Sequence, residues 1–125
     1  MLLDTVIFID YLKGREPAAA AVVAARSRGH VAMHAVVAAE LIAGVLDRSE
    51  LRRTMAMIST CQLLIPDDSD IRRALQLLER HTLSDGLDWN DCLIAATALR
   101  LRMPVATLNE KHFRVFRGLK TLRPY

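Results

Sequence analysis

Short apolar runs, each stopped by an acid, an amide or a glycine, alternate along this chain with longer stretches in which apolar residues recur every three or four positions. Leu2–Leu3 reads as the end of a buried strand that stops at Asp4. Residues 6–12 follow at helical spacing, with Gly14 as the stop. Pro17 opens an alanine-rich helix that runs to residue 28, and Gly29 breaks it. Residues 30–34 form a second strand. Helical spacing resumes over residues 36–46, with Glu40, Gly44 and Asp47 spaced along it. Residues 50–59 make an amphipathic helix with Arg52 and Arg53 turned outward.

A third strand over residues 61–65 ends at Pro66. Asp67, Asp68, Ser69 and Asp70 then place negative charge at a helix start, where the macrodipole favours it. That helix continues to about residue 83, and Asp85-Gly86 is a turn. A helix over residues 89–102 leads to a fourth strand at 105–108. Residues 110–113 make at most one helical turn, and residues 120–122 a short edge strand. Short, wholly apolar strands separated by helices suit a parallel sheet covered on both faces. The expected fold is a three-layer α/β/α domain with a short central parallel sheet, and residues 1–125 leave no room for a second domain.

Composition agrees with such a core: 52% of residues are hydrophobic and only 5% aromatic, so the interior is aliphatic and rich in alanine. Asp4 and Asp10 interrupt the N-terminal apolar stretch, which argues against a signal peptide. His34 and Glu40 break the longest apolar region, which is too short to span a bilayer. Cys61 and Cys92 sit in apolar runs without metal-ligand spacing and read as reduced core thiols of a cytoplasmic protein. The net charge of +3 is unevenly placed. From Glu110 onward Lys111, Arg114, Arg117, Lys120 and Arg123 face one acid, so this segment carries the whole surplus. Such a flank is either a solvated tail or a surface for a polyanion.

The chemistry lies in the acids and the amide. In open α/β sheets ligands bind beyond the carboxyl ends of the strands. Asp4 and Asn109 fall where strands should end, and Glu40 and Asp91 lie on helices able to reach the same edge. Three carboxylates and an amide make an oxygen-only donor set suited to Mg²⁺ or Mn²⁺. Thr5 and Thr107 stand beside members of the set and can orient them. Each residue also has a structural use. Asp4 and Asp88 can cap the helices that follow them, and Asp88 serves better as a cap than as a ligand. Asn109 can be a turn residue. Glu40 lies among Val36, Val37, Ala39, Leu41 and Ile42, and a carboxylate buried there would need a partner.

At these same residues the chain resembles the PIN-domain ribonucleases, specifically the VapC-type toxins of toxin–antitoxin pairs. Leu3-Asp4-Thr5 followed by Phe8-Ile9-Asp10-Tyr11-Leu12-Lys13-Gly14 looks like the family's opening strand and helix. Glu40-Leu41-Ile42-Ala43-Gly44 matches its E-L-x-x-G helix. Asp91-Cys92-Leu93-Ile94-Ala95-Ala96-Thr97-Ala98 matches D-x-x-I-A-A-x-A. Thr107-Leu108-Asn109-Glu110-Lys111-His112-Phe113 matches T-x-N-x-x-H-F. The four segments appear in family order over essentially the whole chain.

The resemblance implies a PIN-like fold and a Mg²⁺- or Mn²⁺-dependent endoribonuclease of RNA phosphodiester bonds. It also implies inhibition by a VapB-type antitoxin whose C-terminal segment covers the active site. Asp4, Glu40 and Asp91 map to the three core acids. Asn109 holds a fourth position where many relatives carry Asp, which weakens the case for a second metal ion. Lys111 and Arg114 are the expected phosphate contacts, Asp10 an outward or partner-facing residue, and the His112-Phe113 pair structural. The apolar faces over residues 36–46 and 50–59 suit a homodimer or an antitoxin helix; no membrane association is expected. The alternatives are a catalytically weak PIN domain that only binds RNA or protein, a metal-dependent DNase or phosphatase, and a receiver domain. The receiver reading lacks an acidic pair at the first strand and meets Pro66 where a phosphoacceptor should stand.

Overall fold

The computed structural model describes residues 1–125. Five strands, β1 (Leu2–Leu3), β2 (Ala32–His34), β3 (Gln62–Leu64), β4 (Val105–Ala106) and β5 (Thr121–Leu122), form one sheet in the order β3-β2-β1-β4-β5. Every pairing is parallel. Seven helices complete the three-layer α/β/α arrangement: α1 (Thr5–Leu12), α2 (Glu16–Ser27), α3 (Ala35–Ala43), α4 (Arg48–Ser59), α5 (Asp68–His81), α6 (Trp89–Leu101) and α7 (Glu110–Phe113). The expected class and element order therefore hold. The chain starts in the middle of the sheet, builds outward through β2 and β3, and then crosses back to add β4 and β5 on the other side of β1. The order reverses between β1 and β4, so a crevice opens beyond the carboxyl ends of those two strands.

Several boundaries move for local reasons. The third helix ends at Ala43 rather than at residue 46, because Gly44 caps it and Leu46 is 88% exposed. Asp47 does not lie along that helix; its carboxylate accepts the Glu50 N–H and starts α4. Asp67 and Asp70 form a reciprocal capping box at the head of α5. That helix stops at His81, short of Leu83, which is 99% exposed. Arg102 ends α6 in the left-handed region, at φ 52°. The core is aliphatic around Leu2, Leu3, Ile7, Val37, Ile94 and Val105, with Phe8, Phe113 and Phe116 as its aromatic members. Cys92 is buried and Cys61 half-buried, and both thiols are free. No helix is long and apolar enough to cross a membrane.

A buried polar chain locks β2, α5 and α6 together. His34, fully buried at the end of β2, accepts the Val36 N–H at Nδ1 at 3.1 Å. Its other nitrogen must then carry the proton, and it donates from Nε2 to the Thr97 hydroxyl at 3.0 Å. Thr97 donates to Asp70 at 3.0 Å, and Arg100 grips both Asp70 oxygens at 2.8 and 2.9 Å. Burial pushes the His34 imidazole down to about 4, against the pull of Asp70 in the opposite direction, so it stays neutral near pH 7. Thr97→Val keeps the volume but strips the hydroxyl that both neighbours use. It should cost about 1–3 kcal/mol in urea unfolding; an unchanged midpoint would show that the relay contributes nothing to stability.

Candidate active site

One acid reaches the crevice edge directly from the sheet. Register pairs Leu3 with Ala106, so the next residues, Asp4 and Thr107, face one another beyond the strand ends. The Asp4 N–H donates to the Ala106 carbonyl at 2.9 Å. The Asp4 carboxylate accepts the Thr5 N–H at 2.8 Å and the Thr107 hydroxyl at 2.8 Å, one on each oxygen. Asp4 is thus both the cap of α1 and a member of the site. Thr107 also accepts the Asn109 N–H at 3.0 Å, which ties the loop after β4 to Asp4. Thr107 therefore orients Asp4 through its hydroxyl, whereas Thr5 does so through its backbone N–H.

Asp91 arrives from the first turn of α6. Its backbone N–H is taken by Asp88 at 2.9 Å, so Asp88 caps the helix as expected. Burial raises the Asp91 carboxyl to about 6, with the Asp88 charge next and Asp4 adding further repulsion, while His112 pulls the other way. Glu40 comes from α3. Contrary to the expectation of a buried acid, it is exposed at the protein surface. Its partner is Asn90, whose amide donates to Oε1 at 2.7 Å. Its carboxyl is still raised, first by local desolvation and also by the Asp4 and Asp88 charges; Asn90 and, more weakly, Thr5 oppose the shift. Glu40 and Asp91 thus each lie in the field of Asp4 and Asp88, although they come from two separate helices.

Asn109 is exposed at the head of α7, and its side chain caps nothing. Lys111 is exposed beyond it, whereas Arg114 is partly engaged by Glu110 at 3.8 Å. Two residues depart from their expected places. Asp10 is not outward-facing: it is 6% exposed, accepts the Tyr125 hydroxyl at 2.8 Å and meets Arg15 at 3.4 Å. That burial and the Asp10 charge push the Tyr125 phenol up to about 12. Phe113 is buried as expected of a structural pair, but His112 is not part of the core. Its Nδ1 lies 3.5 Å from Asp91, and the side chain is 45% exposed. Asn90 and His112 are the site neighbours that the sequence reading missed. Their only signal was position: Asn90 directly precedes Asp91, and His112 lies one helical turn beyond Asn109.

The four-residue set supplies hard oxygen donors carrying three negative charges, which fits a divalent cation in kind. No three acidic, histidine or cysteine side chains converge closely enough to cage an ion. A cleft of about 520 Å³ reaches Glu40 and passes Ile9, Leu12, Lys13, Leu41, Val45 and Arg53; Asp4, Asp91 and Asn109 do not line it. The raised Asp91 carboxyl sets a stability cost. The folded chain keeps this proton up to about 6, whereas the unfolded chain loses it near the ordinary value of 3.8. The stabilising contribution is therefore complete below the lower value and lost as pH rises through the higher one. In EDTA at pH 7.5, Asp91→Asn should unfold with on the order of 1 kcal/mol more stability than the parent. That advantage should shrink as the pH falls from 6 to 4, and a less stable variant at pH 7.5 would contradict the assignment.

Comparison with known proteins gives this geometry a family. A family model described as the PIN domain matches residues 1–118. Ribonuclease VapC19 of Mycobacterium tuberculosis (strain ATCC 25618 / H37Rv) is 36% identical over 122 residues, covering 95% of this chain and 96% of its own length. Ribonuclease VapC10 of the same strain is 33% identical over 121 residues, covering 96% and 90% respectively. A solved toxin–antitoxin complex from Klebsiella pneumoniae has a chain that superposes with a TM-score of 0.81 at 26% identity, covering 99% of this chain and 97% of that one. With a match over nearly its full length in sequence and in fold, this chain belongs to the PIN-domain family, in its VapC-type ribonuclease branch.

Proposed function

We propose that this protein is a Mg²⁺- or Mn²⁺-dependent endoribonuclease, the toxin of a VapBC-type pair. The observation that carries the reading is the placement of Glu40 and Asp91 in the field of Asp4, which stands at the β1–β4 reversal, with the His112 ring 3.5 Å from Asp91. Like charges held together at a strand edge are costly unless a cation or a developing positive site meets them. The relatives named ribonucleases turn that electrostatic reading towards RNA.

A bound divalent ion supplies charge that lowers the pKa of water and offsets the charge growing on a phosphodiester during in-line hydrolysis. Asp4, Asp91 and Glu40 would hold it, with Asn109 completing the set. Asp4 needs little reorganisation, because the Thr5 N–H and the Thr107 hydroxyl already fix one oxygen each. Asn90 does the same for Glu40. Lys111 and Arg114 would hold phosphates rather than read bases, with Arg114 released from its long contact with Glu110. A neutral amide at Asn109 adds no charge, which favours one ion over two.

A VapB-type antitoxin is the proposed partner, in line with the toxin–antitoxin complex whose fold this chain shares. The cleft beside Glu40 suits a partner segment that reaches this acid, since its apolar walls Ile9, Leu12, Leu41 and Val45 are flanked by Lys13 and Arg53. Ile42, Leu51 and Met55 remain exposed on α3 and α4, which suits a second copy of the chain. With two free thiols and an RNA substrate, the cytoplasm is the proposed compartment.

The test is cleavage of total RNA by purified, antitoxin-free protein with Mg²⁺, with Mn²⁺ and with EDTA, beside Asp4→Ala. Metal-dependent cuts should disappear in EDTA and fall by at least about a hundredfold in the variant, as expected when a group acting on the transition state is lost. Cleavage that persists in Asp4→Ala would refute the site. A folded wild type that binds RNA but never cuts it would favour the binding-module reading, with Asn109 as the first residue to suspect.

A further inference from the structure

Helix α5 presents three arginines that no other part of the chain uses. Arg72, Arg73 and Arg80, with Ser69, Gln76 and Leu77, line a shallow groove of about 410 Å³. The six positions recur at the intervals that place residues on one helix face. The opposite face, through Asp70 and Ala74, is buried. All three arginines are exposed, and none takes part in an ion pair of the chain. The arginine side chains that donate hydrogen bonds are Arg26, Arg100 and Arg123.

The acids of this region are kept out of the groove. Asp67 and Asp70 both turn to Arg100 of α6, at 3.2 and 2.8 Å. Asp68 stands one turn before Arg72 yet makes no ion pair with it, and neither Asp68 nor Glu79 lines the groove. Asp67 and Asp70 thus turn towards α6, Asp68 and Glu79 are exposed outside the groove, and the three guanidinium groups face solvent. Their clustered positive charge leaves a field that attracts anions. None of Asp4, Glu40, Asp91 and Asn109 lines this groove.

The geometry points to a second RNA-binding surface: the arginine face of α5 grips phosphates of the substrate strand away from the bond being cut. This inference rests on the nuclease reading above. Guanidinium groups match phosphate oxygens bidentately and stay charged at any physiological pH. Arg72 and Arg80 are separated by about 12 Å along the helix, enough for more than one phosphate of a strand to be held. Only one lining residue is hydrophobic, so the groove lacks the apolar centre on which a protein partner usually anchors. Contacts of this kind position a strand without reading its sequence.

The test measures binding without turnover. A long single-stranded RNA would be titrated, by fluorescence anisotropy over a range of salt, with the full chain carrying Asp4→Ala, alone or with Arg72→Gln, Arg73→Gln and Arg80→Gln. Losing three single-strand phosphate contacts should weaken binding several-fold and lower the slope of log K against log salt by about 2. The corresponding triple lysine variant should recover most of the slope, which separates lost charge from lost folding. In the otherwise wild-type chain, the glutamine variants should raise KM for the long RNA, leave kcat alone and leave cleavage of a short oligonucleotide unaffected. An unchanged salt slope would overturn the proposal and leave α5 a solvated face. So would weakened binding confined to a single-stranded DNA of the same sequence, or loss of a protein partner with RNA binding intact. If the arginines bind RNA but the wild type never cleaves, the nuclease reading fails alone; if it cleaves with an unchanged slope, only this surface fails.

Discussion

Pairing of β1 with β4 fixes the acid around which the site is built. The two strands are only two residues long, and their register delivers Asp4 and Thr107 side by side at the point where strand order reverses. Everything else in the site is arranged around that meeting. Asp91 enters from the head of α6, capped by Asp88, and Glu40 reaches in from α3, steadied by Asn90. The result is a set of carboxylates that repel one another in partly desolvated surroundings, which by itself weakens the fold. Such an arrangement persists only if the framework holding it is firm.

That firmness comes from the aliphatic core and from the relay of His34, Thr97, Asp70 and Arg100. The relay fastens the end of β2, where α3 begins, to the middle of α6 and the head of α5. Since α3 carries Glu40 and α6 carries Asp91, the relay constrains the two helices whose acids must stay near Asp4. Its own charges are satisfied: Asp70 is gripped by Arg100 and held below the usual carboxylate range, with its hydrogen bonds outweighing burial. Glu40 and Asp91, by contrast, are left raised. One chain therefore holds a buried acid spent on structure, Asp70, and less buried acids at the crevice edge.

Much of this was legible in the sequence, and the failures share one cause. Polar residues that follow apolar strands pointed to a crevice edge, and Asp4 and Thr107 do meet there; Asp91 was read from the head of its helix. Asp10 and Glu40 were assigned opposite environments from those they occupy. Both lie on short helices that are apolar nearly all round: α1 leaves Val6 and Ile9 exposed, and α3 leaves Ile42 exposed. Where almost every neighbour is apolar, periodicity no longer distinguishes the core face from the solvent face. The relay was invisible for another reason. His34, Asp70, Thr97 and Arg100 are far apart along the chain and form a unit only once α5 packs on α6. His112 reaches Asp91 through the same kind of tertiary contact, and nothing in its local sequence reveals it.

The claim on which the account stands is that the gathered carboxylates form a cation site. Calorimetric titration of the metal-stripped chain with Mn²⁺ tests it directly, comparing the wild type with Asp4→Asn, Glu40→Gln and Asp91→Asn. The account predicts saturable binding in the wild type that is lost or much weakened in each variant, with every protein still folded. A wild type that takes up no Mn²⁺, or three variants that bind it as well as the wild type, would contradict it.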